Sequence, residues 1–179
     1  TDERARYPEW PFSEVPHGKQ SWYGPIGGIW QGVWMELRPK LHIVRMKLTP
    51  NPAASDIAVE VTLSGPLPAN GRLAVTVSDP TEEVIANTVL DSHGSGKVTL
   101  DNPPLLWSTG SPNHYAVDVS LSIAGATRHT TRSTCGFRTV EARDGRIYLN
   151  GEPIYLRGAL DQAYYPETIY TPPSVAYLE

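Results

Sequence analysis

Strict two-residue alternation, with no helical period competing against it, is what most constrains this chain. Tyr115, Val117, Val119, Leu121 and Ile123 fall on one side of an extended segment, with Asp118, Ser120 and Ser122 on the other. Ile57, Val59, Val61 and Leu63 repeat the pattern against Ala58, Glu60 and Thr62. Leu73, Val75 and Val77 do so between the turn signals Asn70-Gly71 and Asp79-Pro80. Val98 and Leu100 predict a shorter strand, and Val84 to Leu90 another. Between Leu41 and Leu48 the apolar phase slips at Ile43-Val44, which predicts a β-bulge or a strand that changes sheets. Thr127 to Glu141, rich in Thr and Arg, reads as one long strand with a solvated face.

About seven short strands in roughly 100 residues, without a long amphipathic helix, predict an all-β immunoglobulin-like β-sandwich over residues 40–141. The Cys…Trp…Cys pattern of antibody domains is missing, and the competing jelly roll wants more strands. The composition allows a packed core, because 40% of the 179 residues are hydrophobic and only 19% are charged. A net charge of -4 matches poorly with nucleic acid or an anionic membrane, so neither is expected as a partner. No apolar run approaches the ~20 residues of a membrane-spanning helix. The one cysteine, Cys135, excludes an internal disulfide and a thiolate metal cage. Thr1-Asp2-Glu3-Arg4 shows no apolar signal-peptide core, and the compartment stays open.

The flanks differ from the middle. Residues 1–39 are rich in Gly, Pro and aromatics and hold Trp10, Trp22, Trp30 and Trp34; only Ile29 to Leu37 reads as a strand. That density of aromatics predicts a surface normally covered. Residues 142–179 begin with Asp144-Gly145 and a hairpin signal, in which Ile147-Tyr148-Leu149 and Ile154-Tyr155-Leu156 flank the type I′ turn pair Asn150-Gly151. Ser174 is placed to cap a helix running on past Glu179.

Three separated stretches resemble glycoside hydrolase family 2, the β-galactosidases, β-glucuronidases and β-mannosidases. Trp22-Tyr23-Gly24-Pro25-Ile26-Gly27-Gly28-Ile29-Trp30-Gln31-Gly32-Val33-Trp34 is similar to the end of that family's sugar-binding jelly roll. Leu106-Trp107-Ser108 with Pro112 and Tyr115 resembles its "LWSP…PY" signature. Gly136-Phe137-Arg138, Leu149-Asn150-Gly151 and Leu156-Arg157-Gly158 resemble the run leading into its catalytic barrel. The resemblance implies an excised middle: residues 1–39 as the jelly-roll remnant, 40–141 as the immunoglobulin-like domain, 142–179 as hairpin and first strand of an (α/β)₈ barrel. The missing jelly-roll and barrel domains are then the chain's partners, and carbohydrate is a substrate only of the full-length enzyme.

The resemblance also implies that the catalytic glutamates lie beyond Glu179, so no catalytic residue, metal ligand or cofactor is assigned here. Asp161 and Gln162 would follow the barrel strand and are the candidate substrate-binding residues; the family's β-galactosidases have a histidine at the position of Gln162. Ala163 and Tyr164 stand where those enzymes have magnesium-associated Glu and His, and neither suits that ion. Glu82 and Glu83, adjacent on an expected strand, would point to opposite faces and cannot form a retaining pair about 5–5.5 Å apart. Trp107 and Tyr115 are expected to anchor a loop rather than stack a sugar. Trp22, Trp30 and Trp34 are expected to pack between domains. His17, His42, His93, His114 and His129 lack metal-ligand spacing, and Cys135 is expected to be inert. The alternative function is an independent carbohydrate-binding or cell-surface immunoglobulin-like module. Self-association through Trp22, Tyr23, Ile29, Trp30, Trp34 and the Ile154-Tyr155-Leu156 edge is also expected.

Overall fold

A computed structural model of the chain describes residues 29, 32–160, 165, 168 and 171–178. The chain divides into two compact units, residues 37–156 and a second formed by 1–36 with 157–179.

The first unit is all-β. Seven antiparallel strands run β1 (Ile43–Asn51), β2 (Asp56–Leu63), β3 (Gly71–Ser78), β4 (Val84–Val89), β5 (Ser95–Thr99), β6 (Tyr115–Ile123) and β7 (Ala126–Cys135). They form one sheet ordered β1-β2-β5 and another ordered β4-β3-β6-β7. Ile57, Val59 and Val61 of the first sheet pack with Leu73, Val75, Val77, Val117, Val119 and Leu121 of the second, all buried, so the core lies between the sheets. The inward set is the one the alternation predicts. The expected irregularity is a bulge at Val44, where the β1–β2 register shifts between Ile43 and Arg45.

The structure corrects four expectations. The long strand 127–141 stops at Cys135, because Phe137 leaves the ladder to enter the core at 0% exposure and pairs in parallel with Leu106. Past Phe137 the chain forms a separate three-stranded sheet, β8 (Val140–Arg143), β9 (Arg146–Leu149) and β10 (Glu152–Ile154), ordered β10-β9-β8. The second hairpin arm therefore starts at Glu152, opposite Leu149, and Tyr155 and Leu156 lie past its end. Its turn has the expected I′ character, since Asn150 and Gly151 have φ of 54° and 83°. Asp144-Gly145 forms a similar tight turn between β8 and β9, with φ of 50° and 69°.

Glu82 and Glu83 sit in the β3–β4 turn, not on a strand. Asp79 Oδ1 accepts hydrogen bonds from the Thr81 amide (2.8 Å), the Thr81 hydroxyl (2.7 Å) and the Glu83 amide (3.1 Å), closing that turn with Glu82 at φ 67°. Ile29 and residues 32–39 form no strand; Ile29 and Trp34 are exposed. Alternation alone cannot hold a strand that lacks a neighbour's ladder.

In the second unit, Ser174 caps the helix α1 (Val175–Leu178), its Oγ accepting from the Tyr177 amide at 3.2 Å. Tyr165 and Tyr177 meet edge to face, their ring centroids 5.6 Å apart.

Candidate functional site

The motif residues of the first unit, remote in sequence, converge at one end of the sandwich. Tyr115 opens β6 with its ring buried, and its phenol oxygen accepts a hydrogen bond from the Leu105 amide at 2.8 Å. Its ring meets Phe137 edge to face, with centroids 5.0 Å apart. The Trp107 amide donates to the Phe137 carbonyl at 2.8 Å, and Asn113 Nδ2 donates to the Leu106 carbonyl at 2.9 Å. Loop 105–108 is thereby fixed from both sides.

Asn150 ties the hairpin to this loop. Its side-chain Nδ2 donates to the Trp107 carbonyl at 3.0 Å, and its Oδ1 accepts from the Thr139 amide at 3.0 Å. Its own amide donates to the Thr139 carbonyl at 2.9 Å. An asparagine suits the position twice, supplying a donor and an acceptor while tolerating positive φ. Gly136 completes the joint: a Cβ there would lie 3.0 Å from the Trp107 Cβ and 3.3 Å from the Asn113 carbonyl oxygen. Trp107 and Tyr115 are thus anchors of the loop. The arrangement is a mechanical joint, and none of its bonds poises a nucleophile or a proton donor.

Beside the joint an open cleft of about 420 Å³ is lined by Pro50, Trp107, His114, Thr134, Cys135, Gly136 and Arg138. The Arg138 Cζ stands 4.6 Å from the centroid of the Trp107 ring, a cation–π contact. Burial pushes the Cys135 thiol up to about 11. Compared with its ordinary value of 9.0, such a thiol holds ~100-fold less thiolate at pH 8. Alkylation of native Cys135 by iodoacetamide at pH 8 is therefore expected to run about 100-fold slower than in urea-unfolded chain. Since the folded state holds the proton more tightly, this contribution to stability is full below about pH 9 and is lost as pH rises toward 11. Equal alkylation rates in the two states overturn the inert assignment.

Two described carboxyl groups are shifted, both away from proton donation. The Thr81 hydroxyl, opposed by partial desolvation and aided by the Thr81 and Glu83 amides, holds Asp79 below the ordinary carboxylate value. The Ser95 amide chiefly does the same for Asp91. A glycosidase acid needs the opposite shift. Among the described residues, no three His, Cys, Asp or Glu side chains gather where a metal ion could sit. His42 and His129 pack edge to face, and His129 Nδ1 accepts from the Ile43 amide at 3.3 Å, a link between β1 and β7. Asp161, Gln162, Ala163, Tyr164, His17, Trp22, Tyr23 and Trp30 lie outside the described residues.

The family model described as glycosyl hydrolases family 2 matches residues 41–138, the whole two-sheet sandwich with its Gly136-Phe137-Arg138 end. The chain belongs to glycosyl hydrolases family 2. A β-galactosidase of Lactobacillus delbrueckii subsp. bulgaricus is 31% identical over 140 residues, covering 75% of this chain and 14% of its own length. A putative β-glucuronidase of Formosa agariphila is 30% identical over 153 residues, covering 81% and 18%. Among solved structures, a β-glucuronidase from Ruminococcus gnavus in complex with D-glucuronic acid superposes with a TM-score of 0.56 at 22% identity, over 67% of this chain and 20% of that one. This family 2 chain spans 14% to 20% of the length of these curated relatives and a β-galactosidase of Thermoanaerobacter pseudethanolicus. The match thus covers a domain-sized part of each of these relatives.

Proposed function

We propose that the chain is the non-catalytic, immunoglobulin-like spacer of a family 2 glycosidase, fixing a sugar-binding jelly roll against an (α/β)₈ barrel that hydrolyses β-glycosides. The observation carrying this reading is the coincidence of the family match at 41–138 with the two-sheet unit and its joint. The three-plus-four strand arrangement supports the immunoglobulin-like assignment, as does Tyr115, whose hydroxyl reaches back to the Leu105 backbone like a tyrosine corner.

On this reading residues 1–39 end the jelly roll, 40–141 form the sandwich, and 142–179 supply the hairpin and the first barrel strand. Residues 155–160, unpaired here, would become that strand when parallel neighbours complete the ladder. Asp161 and Gln162 would then stand at the strand's C-terminal end and bind carbohydrate in the whole enzyme. Exposed Tyr155, Leu156 and Val140 support an evolved covering of the hairpin sheet, and self-association of the isolated chain belongs to the same reading.

The purified chain is expected to release no nitrophenol from nitrophenyl β-galactoside, β-glucuronide or β-mannoside. Turnover that survives a second affinity step and is lost with the chain on immunodepletion overturns the non-catalytic assignment.

A further inference from the structure

Among the described residues, the cation at the Trp107 cleft has no acid partner. Lys47 pairs with Glu60, Lys97 with Asp56, and Arg132 lies 3.9 Å from Asp118. Arg138 makes no ion pair among the described residues, and no carboxylate lines the cleft beside it. Its guanidinium is nonetheless held in place by the Trp107 ring, whose backbone is fixed by Phe137 and Asn150. An arginine stacked on an aromatic face keeps its N–H fork for planar, bidentate partners. The lining also includes Thr134 and His114, both exposed, together with Pro50 and Cys135. A volume of about 420 Å³ falls in the range of small-molecule sites.

We propose that this cleft binds a small sugar acid, its carboxylate on the Arg138 guanidinium and its hydroxyls facing Thr134 and His114. One charged pair in an open cleft gives an affinity on the order of millimolar. The site lies on the sandwich, within the residues that the family model matches.

The test is a titration of the ¹⁵N-labelled 179-residue chain with sodium D-glucuronate, with D-glucose and sodium acetate as the neutral-sugar and bare-carboxylate probes. Expected are saturable amide shifts confined to residues 134–138, 107 and 114, at least several-fold weaker binding of acetate, and none of glucose. Arg138→Gln, an exposed position whose folding is checked by its amide spectrum, should weaken glucuronate binding at least tenfold. Arg138→Lys, which keeps the charge without the fork, should fall between. Shifts that do not saturate, glucose binding equal to glucuronate, acetate binding as tightly, or an unchanged Arg138→Gln titration would each overturn the proposal.

Discussion

Val119→Asp is expected to remove the cooperative unfolding transition of the sandwich, and Leu121→Asp to do the same. Both side chains are fully buried on β6, a strand with neighbours on both sides, β3 and β7. Val119 lies opposite Val75 on β3, and Leu121 opposite Leu73, so a carboxylate would face apolar walls. An unpaired charge forced there costs several kcal/mol, against a whole-domain stability of about 5–15 kcal/mol. Ser120→Asp on the same strand is the control: Ser120 lies only partly buried on the other face and should shift the midpoint little. Urea titration followed by circular dichroism reads all three. Retention of a sharp transition by Val119→Asp would mean that the core face is misassigned.

The same contrast explains how far the sequence could be read. Where both faces of a strand meet different environments, as in β2, β3 and β6, alternation fixes which side is buried along the middle of each strand, and the departures (buried Asp56, Ser78 and Ala116, partly buried Leu63 and Ile123) fall at the strand ends. Asn150-Gly151 was legible for a related reason, because a two-residue turn with both φ positive is a local demand. The end of β7 was not. Gly136 is a weak local sign of a break, but where Phe137 goes is set by a bridge to Leu106, some thirty residues earlier. Leu106-Trp107-Ser108 and Gly136-Phe137-Arg138 could be paired as parts of one family pattern, but their interlocking through Asn150 is a long-range fact. That Arg138 has no ion-pair partner among the described residues is likewise a property of three-dimensional neighbours.

Phe137→Ala is expected to be the most damaging single truncation at the joint, lowering stability by about 3–5 kcal/mol. Phe137 is fully buried in the core cluster and is the largest side chain in that state. Truncation leaves a cavity against Tyr115 and removes the edge-to-face contact, itself worth about 0.5–1.5 kcal/mol. It also loosens the segment whose backbone carbonyl receives the Trp107 amide, so loop 105–108 loses a fixed point. Phe137→Leu keeps most of the apolar volume and should cost less than half as much. Asn150→Ala separates packing from tethering: it leaves the core intact but removes the donor to the Trp107 carbonyl and the acceptor for the Thr139 amide, for about 1–3 kcal/mol. Hydrogen exchange then distinguishes the two. Phe137→Ala should raise exchange at β6 and at the Trp107 amide together, because core and loop share that ring. Asn150→Ala should release only the amides of Thr139 and the β9–β10 hairpin, while Val117 and Val119 stay protected. If Phe137→Ala leaves the β6 amides as slow as before, the ring fills a peripheral pocket and the joint is held by its hydrogen bonds alone.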